Sequence, residues 1–510
     1  MSDRATSAKV ARNIALRSLA EEIGDWSGGA GPLYRQLATA IGRAVERGAI
    51  ANGSRLPAER SLAVAVCVSR GTAVAAYDQL VGDGLIERRH GSGTYAIGAA
   101  GALALPAGRE GSVLVARLVD HSASPSDVVD LSISVLHGAG ALPPGGVTTA
   151  DLAEVVPDTG YSPWGLTGLR AAVAALLASW GLPTRLEQIV ITTGAQQAIS
   201  IAASCWVRPG DVVVVDDPTY PGAISAFVAA GATLVGVPVD DGGVRVDSLR
   251  SALASRPALV YLQSILHSPT GVVLAERRRA PIAALLAEAR VPLLEDIALA
   301  GLTWSPSPPP IAAHAPGQPI AVVGSLSKLL WGGLRLGFVR APEPVALRFA
   351  RVKATHDLGS SIVSQLLAER VLRSPAWPRR AIVRNGSLRS GYELLTALLG
   401  ARLPSWSWVE PSGGLSLWVQ LPLPIARPFA ETALRHGVAV ATADALSSTQ
   451  DHPDRIRLSF ARPDADLRLG VDRLAAAWSS RERLTGTIAC RNDARYVTRG
   501  SPIAGMEPLP

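Results

Sequence analysis

After about residue 126 the chain repeats one pattern, in which a short run of apolar residues is followed by a helical stretch. The apolar runs include QIVITT, DVVVVDDP, ALVYLQS, VPLLED and IAVVGSLSK. Strands that are apolar along their whole length are buried on both faces, as in a parallel sheet covered by helices on both sides. The pattern therefore predicts an α/β domain over residues 126–480 with a mostly parallel sheet. Helices and the strand pattern GGLSLWVQL…RIRLSFA after about residue 345 predict a smaller α+β subdomain.

Length and composition narrow the class of protein. A chain of 510 residues is too long for a single core and is expected to form two or three domains. Its start lacks the apolar segment of a signal peptide, and no apolar run approaches the roughly 20 residues that cross a bilayer. The three cysteines, Cys67, Cys205 and Cys490, follow neither a metal-binding nor a disulfide spacing. These features predict a cytoplasmic protein without a metal site or membrane association.

Residues 31–97 have the pattern of three helices followed by a β-hairpin. The stretch PLYRQLATAIGRAVERGAI has a helical period, and Ser69 is a predicted N-cap of the third helix. Two short strands around a Gly-Ser-Gly turn follow in LIERRHGSGTYAI. Helix–turn–helix plus hairpin is the winged-helix plan, whose second helix enters the major groove while the wing lies on the DNA backbone. The predicted DNA contacts are Arg60, Ser69, Arg70, Thr72, Arg89, His90, Gly91, Ser92, Gly93 and Thr94.

Charge alone leaves another interpretation open for this unit, namely a small helical domain with a solvated arginine face. The net charge of +7 permits nucleic-acid binding without requiring it.

Three further segments have no durable periodicity: residues 1–30 form a predicted N-terminal arm, the Gly-rich residues 98–125 a linker, and the polar residues 481–510 a disordered tail.

A second group of motifs lies in the α/β region. The segment GSLSKLLWGGLRLGF (324–338) places Lys328 just after an apolar strand, where a lysine can form an imine with an aldehyde. Ser325, Ser327 and Arg335 around it suit a phosphate. A lone loop lysine is more often only a solvated charge, so the interpretation depends on the other motifs.

Those motifs supply the rest of a pyridoxal 5′-phosphate (PLP) pocket. TTGAQQA ends a strand and begins a helix, so its backbone N–H groups can bind the same phosphate. Asp296 at the end of PLLED can hold a protonated pyridine nitrogen, and Tyr220 can stack on the ring. In TTGAQQA, the N–H groups that can bind the phosphate are those of Gly194, Ala195 and Gln196.

These motifs resemble two known families. Residues 31–97 resemble the GntR-type winged-helix module through LPAER, SRGT and GSGT, and residues 130–478 resemble class I aminotransferases, which are fold-type-I PLP enzymes. The aminotransferase resemblance includes GYSPWGLTGLR, SPTG and RIRLSFA. It implies that Lys328 is the Schiff-base lysine, that Tyr161 reaches the phosphate of a neighbouring subunit, and that Arg457 clamps a carboxylate. The combination resembles MocR-type transcription regulators, a resemblance that implies a homodimer with head-to-tail domain swapping.

The chain also departs from the family at the pocket. Ala298 stands where a tyrosine often bonds the ring hydroxyl, Ser268 replaces the asparagine of Asn-Pro-x-Gly beside the cofactor, and Gly222 replaces a substrate-binding arginine of some members. Trp164 and Trp331 either narrow the pocket or belong to the core. His267 is either a substitute donor to the ring hydroxyl or a solvated loop histidine.

The motifs leave three functions open. In the first, a regulator bound to double-stranded operator DNA senses an amino compound, or PLP itself, through aldimine exchange at Lys328. In the second, the domain is a working aminotransferase that the DNA-binding module localises or autoregulates. In the third, it binds no cofactor and serves only dimerisation. The departures at Ala298 and Gly222 weaken substrate placement more than imine formation, which favours the sensor.

Overall fold

The computed structural model describes residues 19, 23, 26, 32–46, 49–50, 53–83, 85–89, 93–96, 127–136, 146–153, 155, 159–449 and 452–496, the last sixteen as backbone only. The chain divides into two compact units, Met1–Glu110 and Gly111–Pro510. The predicted linker (98–125) and three predicted DNA-contacting residues, His90, Gly91 and Ser92, lie outside the described residues.

The first unit is a winged helix, as its sequence predicts. Helices α1 (Leu33–Glu46), α2 (Glu59–Ala65) and α3 (Arg70–Gly82) precede the strands β1 (Ile86–Arg89) and β2 (Gly93–Ala96). The strands pair antiparallel, with Ile86 opposite Ala96 and Arg89 opposite Gly93. The prediction that Ser69 caps α3 is confirmed, because its hydroxyl accepts a hydrogen bond of 3.1 Å from Thr72 N.

The predicted N-terminal arm contributes to the core of this unit. Leu19 and Ile23 are helical and buried, and they belong to one apolar cluster with Leu37, Ile41 and Tyr77. The spacing of four residues between Leu19 and Ile23 places both on one helical face, which is the sequence signal for this packing.

The second unit is built on a mixed eight-stranded sheet in the order β4-β11-β10-β9-β8-β5-β6-β7. Its strands are β4 (Ile189–Thr192), β5 (Val212–Asp217), β6 (Thr233–Asp240), β7 (Gly243–Val244), β8 (Leu259–Gln263), β9 (Leu293–Asp296), β10 (Ile320–Ser325) and β11 (Gly337–Arg340). The five strands from β10 to β6 run parallel, whereas β11, β4 and β7 add antiparallel pairs at the two edges. The fully apolar runs predicted this central parallel part.

Helices cover both faces of the sheet. Two separate apolar clusters lie on the two faces of the sheet. Neighbouring residues of β10 point to opposite faces, so Val322 packs into one cluster and Val323 into the second. The helices up to the subdomain are α4 (Thr149–Ala153), α5 (Thr167–Ser179), α6 (Gly194–Trp206), α7 (Pro221–Ala229), α8 (Val246–Leu253), α9 (Glu276–Ala289), α10 (Leu326–Leu329), α11 (Glu343–Asp357), α12 (Ile362–Arg373) and α13 (Trp377–Arg402). Short 3-10 turns lie at Leu186–Gln188, Ile311–His314 and Gly332–Leu334.

A smaller α+β subdomain follows, as predicted. Its four-stranded sheet has the order β12-β13-β16-β15, and a two-stranded sheet pairs β14 with β3 near the start of the unit. The elements are β3 (Val129–Asp130), β12 (Ser407–Trp408), β13 (Ser416–Gln420), α14 (Ala426–Arg435), β14 (Val438–Ala439), β15 (Ala441–Thr442), a 3-10 turn (Ala443–Ala445), β16 (Arg455–Ser459) and α15 (Asp464–Tyr496).

The last helix differs from the sequence expectation. Residues 481–510 were expected to be a disordered tail, whereas α15 continues to Tyr496. Residues 481–484, RERL, are good helix formers and continue the helix directly, whereas the TGT that follows them has low helix propensity and gave no signal that the helix goes on. Residues 497–510 lie outside the described part of the chain. Among the described residues, no helix combines the length and the apolar character needed to cross a bilayer.

Candidate functional site

The parallel strands bring Asp296 and Lys328 to the same edge of the sheet. Asp296 ends β9, and β10 pairs with β9 so that Val323 lies beside Asp296. β10 ends two residues later at Ser325, and the single turn of α10 carries Lys328. Ligands of open α/β sheets bind at the carboxyl ends of the strands, which is where these two residues lie.

Asp296 is a buried carboxylate held by two donors. The Tyr261 hydroxyl donates to Oδ2 over 2.7 Å, and Ala298 N donates to Oδ1 over 2.7 Å. Burial raises the pKa of Asp296 to about 6, while the hydrogen bond from Tyr261 opposes the rise. The side chain is therefore ionised at neutral pH and can pair with a protonated pyridine nitrogen.

The Lys328 amine lies in an electropositive pocket. Its Nζ donates to Ser134 O over 2.5 Å. Burial and the charges of Arg457 and Arg335 together lower the pKa of Lys328 to about 8, whereas the charge of Asp296 opposes this shift. A lysine with such a pKa is neutral far more often than a solvated one, and only the neutral amine attacks a carbonyl.

Arg335 joins the start of α6 to form an anion-binding corner. A Cβ placed on Gly194, the first residue of α6, would lie 3.3 Å from the Arg335 guanidinium. One on Gly337 would lie only 2.7 Å from Ala195 N, so a side chain there would push the α6 N-terminus away. The positive end of α6 and the guanidinium thus face the same space, as the predicted phosphate site requires.

The two serines beside Lys328 use their hydroxyls within the chain. Ser325 Oγ accepts from Lys328 N over 3.2 Å and caps α10. Ser327 Oγ donates to Leu336 O and accepts from Leu336 N, both at 3.1 Å. Ser325 retains its proton for a ligand, whereas Ser327 has its proton engaged and chiefly fixes the turn that presents Arg335.

The N-terminus of α7 is closely packed by Tyr220, Gln196 and Gly222. Tyr220 precedes Pro221 at the N-terminus of α7 and lies within electrostatic range of Asp296, Arg335 and Arg457. Gln196 Nε2 donates to Gly222 O over 2.8 Å. A Cβ on Gly222 would lie 2.0 Å from Gln196 Oε1 and 2.5 Å from the Tyr220 ring. The departure at Gly222 therefore has a structural reason, because Gln196 occupies the space of any side chain there.

Three other predicted residues are spread around the pocket. Arg457 in β16 is buried, and its Nη2 donates to Ser132 O over 2.6 Å. Ser268 follows the end of β8 and exchanges backbone hydrogen bonds with the Gln263 amide. Tyr161 is 66% exposed.

The alternatives for His267 are both wrong. His267 is buried, Nδ1 shares a hydrogen bond of 2.8 Å with Thr270 Oγ1, and Nε2 lies 2.9 Å from Pro218 O. Burial lowers its pKa to about 4, so the ring is neutral and both nitrogens are engaged within the protein. Of the two tryptophans, Trp164 packs on the core beside Arg170, whereas Trp331 is exposed.

The sequence did not reveal two residues of the site. Tyr261 lies inside an apolar strand and Ser134 in the extended segment after β3, and neither belongs to a motif. A tyrosine in an otherwise aliphatic strand was the one available signal, because a buried hydroxyl requires a polar partner.

PLP fits this set of groups. Of the eleven buried side-chain polar atoms that have no hydrogen-bond partner among the described residues, three belong to residues of the pocket, namely Ser134 Oγ, Gln196 Oε1 and Arg457 Nε. Buried polar atoms are normally hydrogen-bonded, so a polar ligand is expected to bind them. An amine of lowered pKa, a carboxylate and an anion-binding corner match an aldehyde, a pyridine nitrogen and a phosphate.

The first unit presents an arginine surface. Arg60 on α2 and Arg70 at the start of α3 are exposed, and Thr72 shares a hydrogen bond with Ser69. Arg89 pairs with Glu87, and its guanidinium lies 4.5 Å from the centre of the Tyr95 ring. Thr94 is buried, as are Tyr95 and Ala96 after it, so its side chain is not available to DNA.

Comparison with known proteins agrees with both halves. The family described as aminotransferase class I and II matches residues 126–474, and that described as bacterial regulatory proteins, gntR family, matches residues 33–96. The chain is 29% identical over 466 residues to the uncharacterized HTH-type transcriptional regulator YdfD of Bacillus subtilis, a match that covers 86% of this chain and 95% of that protein.

The second unit is also similar to enzymes. It is 29% identical over 328 residues to the 2-aminoadipate transaminase of Thermus thermophilus, with 63% of this chain and 80% of that protein covered. The crystal structure of the α-aminoadipate aminotransferase LysN from Thermus thermophilus, complexed with N-(5′-phosphopyridoxyl)-L-leucine, matches with a TM-score of 0.62 and 26% identity. That match covers 70% of this chain and 94% of LysN.

Proposed function

Because the chain belongs to the class I and II aminotransferase family and carries a gntR-family DNA-binding unit, in the arrangement of MocR-type regulators, we propose that it senses an amino compound at Lys328. A chain with these two units is a DNA-binding regulator with an aminotransferase-like domain. The pocket that contains Lys328 lies in that domain.

One observation carries the proposal: the pocket keeps an amine, a carboxylate and an anion-binding corner that suit PLP, but it lacks two of the family's contacts to the ring hydroxyl and the substrate. Lys328, Asp296 and Arg335 lie together, whereas Ala298 offers no ring-hydroxyl donor and Gly222 is closed by Gln196. Turnover requires precise placement of the substrate for removal of its α-proton, and each missing contact weakens it. Binding of an amine requires only the aldehyde, its lysine and a carboxylate clamp.

The roles of the residues follow from their positions. PLP supplies an aldehyde that can be bound by Lys328 and exchanged to a free amine, and a ring that withdraws electrons. Asp296 holds the ring nitrogen in its protonated form, while Arg335 and the α6 N-terminus bind the phosphate. Arg457 attracts the carboxylate of an incoming amino acid. Tyr220 shields one ring face.

The effect on DNA must come from a difference in affinity. An amino compound changes operator binding only if it binds one state of the protein more tightly than the other. A homodimer would supply two DNA-binding units for paired half-sites, and the family resemblance supports a homodimer. The exposed Tyr161 is then expected to reach the partner's phosphate site.

The test is a set of absorption spectra of the full chain with PLP, beside a Lys328→Ala variant. We expect a visible band in the wild type that the variant lacks. Titration with α- and ω-amino acids should shift that band without release of a keto acid. The same compound should change the affinity for a labelled duplex taken from upstream of the chain's own gene.

Three results would count against the proposal in different ways. Steady release of keto acid would indicate a working aminotransferase. A band that no amine shifts would leave PLP itself as the effector. The absence of any band dependent on Lys328 would remove the sensor altogether.

A further inference from the structure

A second cavity lies in the aminotransferase-like unit, and none of the residues assigned to PLP lines it. Its volume is about 670 Å³, and its walls are the first turns of α13, the loop that leads into α15, Leu136 and Leu330. Sites for small molecules typically measure about 300–1,000 Å³. Neither Lys328 nor Asp296 nor Arg457 lines this cavity.

The walls combine positive charge with apolar surface. Four arginines line the cavity against a single acidic residue, Asp464; they are Arg379, Arg380, Arg384 and Arg462. The apolar lining comes mainly from Leu136, Leu330, Trp377, Leu388 and Phe460. Such a lining suits a molecule with an anionic head and an apolar body.

Arg384 is the residue that most requires an anion. Its Nη1 donates to Leu329 O and its Nη2 to Gly301 O, both over 2.7 Å, and its Nε donates to Asn385 Oδ1 over 3.1 Å. Within the described part of the chain, no carboxylate contacts it. Burial lowers the pKa of Arg384 to about 10, which reflects the cost of an unbalanced charge.

A comparison inside the same unit supports this interpretation. Arg279 is also buried, but Glu295 and Glu276 lie near enough to stabilise its charge. Buried charges in proteins are normally paired. Arg384 has only neutral oxygen partners, so an anion in the adjoining cavity would supply the balancing charge.

The cavity is also connected to Lys328. Arg384 holds Leu329 O, and Leu330 lines the cavity, and these two residues directly follow Lys328. Leu329 ends α10, the single turn that carries the lysine. A ligand that draws the guanidinium towards itself would therefore act on the turn that positions the amine.

We propose that this cavity is a second ligand site, which binds a small amphipathic anion, an aryl or branched-alkyl carboxylate or phosphate, through Arg384 with the help of Arg380 and Arg462. The Trp377 side chain, over which Arg384 lies with 5.5 Å between the guanidinium carbon and the ring centre, packs against the apolar body of the ligand. A ligand of this cavity needs no amine, which distinguishes the site from the one that binds the amino compound.

The test uses the full PLP-loaded chain and two probes, 4-phenylbutyrate and phenyl phosphate, which carry no amine and so cannot compete for the aldehyde. Calorimetry should show saturable binding of at least one probe and none of the neutral 4-phenylbutyramide. The two probes distinguish a carboxylate from a phosphate. Arg384→Gln should weaken binding by about tenfold or more, since a charge-assisted contact is lost. Arg389→Gln, a change to an exposed arginine of the same helix that does not line the cavity, is the matched control and should leave the affinity unchanged.

The opposite pattern would overturn the proposal. If Arg457→Gln abolishes binding and Arg384→Gln does not, the probes occupy the Lys328 pocket. If neither anion binds the wild type, the cavity is not such a site. Should Arg384→Gln fail to fold, Ser387→Trp serves instead, because Ser387 is an exposed helical residue of the lining and a large side chain there obstructs the cavity. Undiminished binding by Ser387→Trp would also contradict the proposal.

Discussion

Tyr261 donates its hydroxyl to Asp296 Oδ2 over 2.7 Å, and the two residues lie on neighbouring parallel strands, β8 and β9. Both are buried, so the hydrogen bond is shielded from water. Burial raises the pKa of Asp296, and this hydrogen bond is the largest effect that opposes the rise. Tyr261 therefore helps to keep the carboxylate ionised opposite the pyridine nitrogen.

Tyr261→Phe is expected to weaken PLP binding without removing Lys328. A hydrogen bond to a charged group contributes about 1.5–3 kcal/mol, so the Kd for PLP should rise by about 10- to 150-fold. The measurement is a titration of the apo protein with PLP, followed by absorbance. Tyr392→Phe, a change on α13 that also removes one hydroxyl, is the control and should leave the Kd unaltered. Equal Kd values for wild type and Tyr261→Phe would contradict the role given to Tyr261.

The pocket should show two pH limits in its uptake of PLP. Asp296, with a pKa of about 6, is ionised above that value, so its hold on the protonated pyridine is lost as the pH falls through 6. Lys328, with a pKa of about 8, is protonated below that value, so its capture of an aldehyde accelerates as the pH rises through 8. We expect PLP affinity to fall on the acid side and the uptake rate to rise on the alkaline side.

Stopped-flow absorbance across a pH range that spans both pKa values measures the rate, and equilibrium titration measures the affinity. Asp296→Asn should abolish the acid limit and keep the alkaline one. An uptake rate that does not change between neutral pH and pH values above the Lys328 pKa would show that the amine is not the titrating group.

Gly222 and Gln196 should be energetically coupled. Gly222→Ala places a methyl group 2.0 Å from Gln196 Oε1, so the amide must leave its hydrogen bond to Gly222 O. Overpacking of this kind typically costs about 1–3 kcal/mol of unfolding free energy. The cost should be smaller in a Gln196→Ala background, and chemical denaturation of the four proteins gives the coupling. Strictly additive effects would show that the two side-chain positions do not share this space.

The sequence predicted those parts of the fold and site that depend on local pattern. The run IAVVGS predicted β10, and the motif after it placed Lys328 at the end of that strand. Asp296 was found in the same way, because both residues terminate apolar strands of one parallel sheet.

Contacts that depend on strand order or on packing could not be predicted. Tyr261 meets Asp296 only because β8 adjoins β9, and periodicity does not reveal that order. His267 was misjudged because the sequence does not show that the loop after β8 is buried. Likewise, the carbonyl partners of Arg384 come from residues 301 and 329, far from it in sequence.

Arg70 should contribute more to DNA binding than an equally exposed arginine elsewhere in the winged helix. It begins α3, the predicted recognition helix, and no acidic side chain pairs with it among the described residues, whereas Arg88 is held by Asp78 over 2.6 Å. A bidentate base contact is worth about 1–3 kcal/mol, so Arg70→Ala should weaken operator binding by about 5- to 150-fold. Fluorescence anisotropy with a labelled duplex at several salt concentrations measures this effect, and a pure phosphate contact would instead reduce the salt slope by about one.

Arg43→Ala on α1 is the matched control, since Arg43 is exposed but lies outside the helix–turn–helix. An equal loss of affinity from Arg43→Ala and Arg70→Ala would indicate binding by net charge alone and would remove α3 from its role as the recognition helix.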